Sequence, residues 1–233
     1  MERPRGPGRS TRPEVPQRAQ EVLFAHYHPL MKKPTVALIY AHPYAERSLA
    51  NRELLSAIDD LAFIDRRYLY DLYPDFDIDI EAEQGRLEAV ELIVIQHPIY
   101  WYSTPALLKL WIDEVFSLGW AYGEDSKALA GKAMLWVVTT GADFKAYAPD
   151  GPHGHPFDVF VAPMRQTARF CGMHWQEPIV VHDSHADQAQ VAAAGQRYRQ
   201  RLVAFDAAHP AKTKHKPSES AAVETPALRG GPA

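Results

Sequence analysis

The chain has 233 residues, is 46% hydrophobic and 23% charged, and carries a formal net charge of -4, a composition that suits a globular domain with a sizeable core. Its single cysteine, Cys171, excludes an intramolecular disulfide framework and a multi-cysteine metal site. The acidic balance speaks against a basic nucleic-acid binder, and no run of 18 apolar residues offers a membrane-spanning helix.

Residues 1–30 hold five of the 19 prolines and five arginines, without apolar periodicity. They are expected to be a disordered extension and lack the apolar segment of a secretory signal. Texture changes at Met31, where Lys32 and Lys33 precede an apolar run. Residues 210–233, rich in Pro, Lys, Ser, Ala and Gly, read as a second disordered tail. Each tail carries +2, which leaves -8 on the body at 31–209, the expected folded domain. A cytoplasmic location is expected.

In chain order, the body alternates strand and helix patterns. Val36, Ala37, Leu38, Ile39 and Tyr40 follow Thr35 as a continuous apolar run, which suits a strand covered on both faces. Leu49, Leu54, Leu55, Ile58 and Leu61 give 48–61 helical spacing. A partly polar strand at 64–70 and a short helix at 81–90 follow. Leu92, Ile93, Val94 and Ile95 form a third strand that ends at Gln96, His97 and Pro98. Leu107, Leu108, Trp111, Ile112 and Val115 mark an amphipathic helix at 104–117. A fourth strand at 133–138, a helix at 157–171 despite Pro163, a fifth strand at 179–181 and a helix at 185–206 complete the body.

Short apolar strands separated by helices predict a parallel sheet with helices on both faces. Ligands of such sheets sit beyond the carboxyl ends of the strands, near the switch in strand order. Three clusters fall at strand ends. The first, 42–51, contains His42, Ser48, Leu49, Ala50 and Asn51. Ser48 is placed to cap the following helix, whose free N–H groups suit a phosphate. Neither G-x-G-x-x-G nor G-x-x-x-x-G-K-[ST] occurs, which disfavours a dinucleotide fingerprint and a P-loop. The second cluster, 96–105, carries Ile99, Tyr100, Trp101 and Tyr102. Its flat side chains and backbone amides suit a planar ring, and equally a packed interface. The third runs Thr139, Thr140, Gly141 and Ala142, then Tyr147 and His153. Tyr147 and His153 are candidates to donate to a developing oxyanion or to move a proton. No third ligand accompanies His153 and His155, so no metal site is expected.

Together these clusters resemble the NAD(P)H:quinone oxidoreductase family of flavodoxin-like flavoproteins. The stretch from His97 to Asp113, continued by Gly119, Trp120, Ala121, Tyr122 and Gly123, looks like the ancillary flavoproteins of bacterial glutathione-regulated potassium-efflux systems. Residues 73–79 and 39–44 strengthen that resemblance, which spans roughly 34–206. It implies an α/β flavodoxin-like three-layer sandwich, with a five-stranded parallel sheet in the order 2-1-3-4-5, and a homodimer. It also implies a bound FMN, with FAD as the other flavin allowed, and NADPH or NADH as donor. On matching positions, His42 and Ser48, Leu49, Ala50 and Asn51 would hold the phosphate end. Ile99, Tyr100, Trp101, Tyr102, Thr139, Thr140, Gly141 and Ala142 would hold the ring. Tyr147 and His153 would face flavin and substrate as catalytic residues. Many relatives have glycine where this chain has Ala142, a change that requires φ below zero there.

Three functions are therefore weighed. The first is two-electron, ping-pong hydride transfer from NAD(P)H through FMN to a quinone. The second is an ancillary subunit docked on the cytoplasmic face of a potassium/proton antiporter, peripheral to the inner membrane. The third is a one-electron carrier. The helix at 104–117 and the segment 120–123 are candidates for part of the dimer contact, with core packing of that helix as the competing reading.

Overall fold

The computed structural model describes residues 34–124, 126, 128–182 and 188–210. The expectations for 1–30 and for the tail beyond 210 lie outside the described residues, as do the first residues of the helix expected at 185–206. Strands are β1 (Val36–Tyr40), β2 (Ile64–Tyr68), β3 (Leu92–Pro98), β4 (Ala133–Thr139), β5 (His174–Trp175) and β6 (Ile179–Val181). Helices are α1 (Leu49–Ser56), α2 (Leu69–Leu72), α3 (Ile80–Glu88), α4 (Ala106–Val115), α5 (Asp158–Phe170) and α6 (Gln188–Ala208).

The sheet runs β2-β1-β3-β4-β5, and all its pairings are parallel. This is the flavodoxin-like order 2-1-3-4-5 that the resemblance implies, with one addition. The fifth position is divided. β5 pairs with β4 at Ala133 and Met134, and β6 pairs with it at Val137, Val138 and Thr139. Pro178 lies between the two pieces and has no N–H with which to continue the ladder.

Residue parity sorts the core into two layers. Ala37, Ile39, Ile93, Ile95, Met134 and Trp136 pack under Leu87 of α3, Leu107, Leu108 and Trp111 of α4 and Val161 of α5. Val36, Leu38, Val94, Leu135 and Val137 pack under Leu54 of α1 and Val191, Ala194, Tyr198 and Leu202 of α6. A period of two in the strands thus assigns each side chain to one layer. Where α1 meets α6, a β-carbon on Gly195 would lie 3.1 Å from that of Ala57, so this contact favours glycine.

Several element boundaries differ from expectation. Gln96, His97 and Pro98 belong to β3 and are buried, because β4 continues to pair with them. β2 stops at Tyr68, and Leu69–Leu72 turns helical. α1 ends at Ser56 rather than 61. The apolar face of α4 is consumed by the first core layer, while Lys109 and Asp113 form an ion pair on its exposed side. Trp120 donates its indole N–H to Glu88 at 2.8 Å.

The buried polar residue on β2 also has an internal explanation. Arg67 is buried and pairs with fully buried Glu83 of α3, its Nε lying 3.0 Å from Oε1. Tyr73 donates to the same oxygen at 2.6 Å, and Trp111 donates to Oε2 at 3.1 Å. Both carboxylate oxygens are thus occupied, as a buried charge requires.

Candidate functional site

A cavity of about 410 Å³ opens at the carboxyl ends of β1, β3 and β4, a size within the range of small-molecule sites. It is lined by His42, Tyr44, Arg47, Ser48, Pro98, Ile99, Tyr100, Thr139, Thr140 and Gly141. All three sequence clusters therefore contribute, because parallel strands bring their following loops to one edge.

At one end, local hydrogen bonds set the polarity of the lining. The Tyr44 N–H donates to Nδ1 of His42 at 3.0 Å. Burial holds the His42 imidazole below its ordinary range, so the neutral ring carries its proton on Nε2. Ser48 caps α1, accepting from the Asn51 N–H at 3.3 Å. The guanidinium of Arg47 supplies positive charge and lies 5.4 Å from the Tyr44 ring centroid. This end therefore presents an imidazole N–H, a hydroxyl and a cation.

The structure places the Asn51 side chain behind the lining. It is fully buried and absent from the lining. Its side-chain amide donates to the hydroxyls of Ser48 and Thr139, each at 3.0 Å. Leu49 projects to the exterior and Ala50 packs into the core, so neither side chain lines the cavity.

At the other end, β3 gives way to a two-residue hairpin. The N–H and C=O groups of Tyr100 and Ser103 exchange bonds at 3.1 and 3.0 Å. The tip residues Trp101 and Tyr102 have φ of 47° and 65°, the conformation of a type I′ turn. Bulky residues rarely adopt it. Ile99 and Tyr100 line the cavity, whereas Trp101 stands 92% exposed at the tip. Tyr102 stacks on Phe160 with centroids 5.0 Å apart, and its hydroxyl lies 3.3 Å from Nδ1 of His153.

After β4, Gly141 lines the cavity and Ala142 has no positive φ, so its methyl group is sterically compatible with the backbone. Among the described residues, no hydrogen bond engages the amides of Gly141 or Ala142. Tyr147 and His153 lie outside the lining, on the Tyr102 side of the site. Their rings stack with centroids 4.4 Å apart. Burial raises the Tyr147 phenol above its ordinary range.

The Thr140 hydroxyl donates to the Ala142 carbonyl at 2.8 Å. Its single hydrogen is then used, so His182 Nδ1, 3.0 Å away, is the donor to that same oxygen. His182 escaped the motif reading although it directly follows the last strand, where the strand-end rule would have found it. Tyr44 and Arg47 were within the first cluster but carried no spacing signal. His97, by contrast, belongs to the core. It accepts from Trp136 Nε1 at 2.8 Å, and burial pushes it down to about 4.

The family model described as flavodoxin-like fold matches residues 34–202. The chain belongs to this family. Within it, the glutathione-regulated potassium-efflux system ancillary protein KefF of Enterobacter sp. (strain 638) is 47% identical over 175 residues, covering 75% of this chain and 98% of that protein. The structure of general stress protein 14 from Treponema denticola, in complex with FMN, is 34% identical with a TM-score of 0.70, covering 74% of this chain and 99% of that one. An NADPH-quinone reductase from P. pentosaceus is 27% identical with a TM-score of 0.65, covering 72% and 96% respectively. Among the described residues of this family member, no helix is long and apolar enough to cross a membrane.

Proposed function

We propose that this family member is an FMN-dependent NAD(P)H:quinone oxidoreductase, in the class NAD(P)H dehydrogenase (quinone), working as a homodimer. The observation that carries the reading is the cavity's polarity: donors and a cation at the His42–Ser48 end, apolar and backbone groups at the Ile99–Gly141 end. That donor set suits a phosphate joined to a planar ring. The FMN-bound relative and the quinone reductase relative support the same assignment.

When bound, FMN supplies two-electron chemistry, taking a hydride from NADPH or NADH and passing it to a quinone. The chain's own residues bind and orient. Arg47, the Nε2–H of His42 and the Ser48 hydroxyl would hold the phosphate. Ile99 and Tyr100 would hold the ring, and the Gly141 and Ala142 amides would offer donors to negative charge there. Tyr147 remains protonated at neutral pH, because burial raises its phenol, and donates from Oη toward the quinone oxygen. His153, stacked on Tyr147, moves the proton that the quinone oxygen takes up.

A second role is favoured by the 47% identity to the KefF ancillary protein. In this reading the protein docks on the cytoplasmic face of a glutathione-regulated potassium/proton antiporter and promotes efflux, with turnover secondary.

An anaerobic visible spectrum of the purified protein, titrated with NADPH and then benzoquinone, tests the proposal. Flavin bands that bleach in one step and return with benzoquinone are expected. Bound flavin that NADPH leaves oxidised would favour the ancillary role, and accumulation of a blue one-electron form would favour a carrier. Failure to take up FMN would remove the cofactor assignment.

A further inference from the structure

We infer that Gln96 and Asn51 form a buried relay that fixes the Ser48 hydroxyl as a donor into the cavity and biases that of Thr139 the same way, so that this end favours a ligand group rich in acceptors. The inference rests on the FMN reading of the same site and makes Gln96 and Asn51 positioning residues rather than ligands.

Both residues are fully buried. Gln96 donates from Nε2 to Asn51 Oδ1 at 3.2 Å, which sets the orientation of the Asn51 amide. Its two N–H groups then face Ser48 Oγ and Thr139 Oγ1, each at 3.0 Å. Ser48 Oγ also accepts the Asn51 backbone N–H. A hydroxyl oxygen has two lone pairs and one hydrogen. Both lone pairs of Ser48 are therefore occupied, and only its hydrogen is left to interact. Thr139 has one lone pair occupied by the same amide. Among the described residues, no group accepts from either hydroxyl, and both side chains line the cavity.

The relay has a visible cost. Gln96 Oε1 is buried without a partner. Turning that amide over would place oxygen against Asn51 Oδ1, so the unpaired atom follows from keeping Nε2 on Asn51. His42, held neutral with its donor on Nε2, has the same polarity. A phosphoryl group, whose ionised oxygens accept several hydrogen bonds at once, matches this end, whereas an ammonium group, which only donates, would leave donors facing donors.

The experiment measures binding of FMN and of riboflavin, which lacks the phosphate, by flavin fluorescence quenching of the apoprotein. Tighter binding of FMN than of riboflavin is expected for the native chain. Asn51→Asp is isosteric, but its carboxylate accepts from both hydroxyls and turns their lone pairs into the cavity. It should weaken FMN by about 100-fold and riboflavin by less than about 3-fold. Gln96→Met leaves Asn51 in place and frees its amide to turn. It should give a smaller selective loss, about 5-fold for FMN, that vanishes in a Ser48→Ala/Thr139→Val background. Equal losses for both flavins in these variants, or an unchanged ratio, would overturn the relay and leave a structural role only. A native chain that binds both flavins equally would overturn the relay while sparing the FMN reading, and one that binds neither would remove both.

Discussion

The rings of Tyr147 and His153 stack 4.4 Å apart at an interplanar angle of 25°. Tyr102 closes over the pair, its hydroxyl reaching His153 from the second loop. Two residues from the third strand-end loop are thus held by a residue from the second, which ties the proton-handling groups to the hairpin beside the cavity. Replacing Tyr147 with Phe removes one donor and keeps the ring stack. Quinone turnover should fall by at least about 10-fold with FMN content unchanged. His153→Gln should lower the same step. Stopped-flow measurement of the two half-reactions checks this, and unchanged rates in both would remove the pair from the mechanism.

Trp101 sits at a φ of 47° with 92% of its surface exposed. An asparagine tolerates this turn position far better and forfeits little packing. Trp101→Asn should therefore stabilise the protein by about 0.5–1 kcal/mol. Tighter local geometry at the expense of ligand contact would appear as a higher melting temperature with weaker flavin or quinone binding. A lower melting temperature would show that Trp101 is held by contacts the exposure does not reveal.

Glu83 neutralises Arg67 inside the first core layer. Glu83→Gln leaves the guanidinium buried without its counter-charge, at a cost of about 3–5 kcal/mol. The melting temperature should drop by roughly 10 °C. Because the ion pair lies outside the cavity lining, FMN affinity of the folded fraction should not change. Thermal melts and flavin titration of one preparation separate the two effects.

His97 links pH to stability. Its folded-state value of about 4 lies below the ordinary 6.5. As pH falls through 6.5 the unfolded chain takes up the proton first, so stability decreases and levels off near pH 4. The full contribution is present above pH 6.5 and amounts to about 3 kcal/mol. His42 and His182, also lowered by burial, act with the same sign. Urea denaturation between pH 7.5 and 4 should show the decline. In a His97→Gln variant, whose side-chain oxygen can accept from Trp136, the decline should be smaller by that amount.

Local patterning was sufficient for the parallel strands and for most of the cavity, while the strand order came from the family resemblance. A strand covered on both faces needs consecutive apolar residues, so β1, β3 and β4 announce themselves in composition, and the loops after them follow by rule. His42, Ser48, Ile99, Tyr100, Thr139, Thr140 and Gly141 were reached in this way. Four features lay beyond such reasoning. The extension of β3 over Gln96 and His97 depends on pairing with β4, a partner 41 residues away in the register. The split fifth strand reflects a proline meeting a neighbour's hydrogen-bond ladder. The pairing of Arg67 with Glu83 makes a polar strand position buried. The resemblance places Asn51 at the phosphate end, yet its two side-chain donors are taken by Ser48 and by Thr139, 88 residues away. Periodicity reports which face of an element is apolar. Which polar group satisfies another across the core is a matter of three-dimensional distance, and no spacing along the chain encodes it.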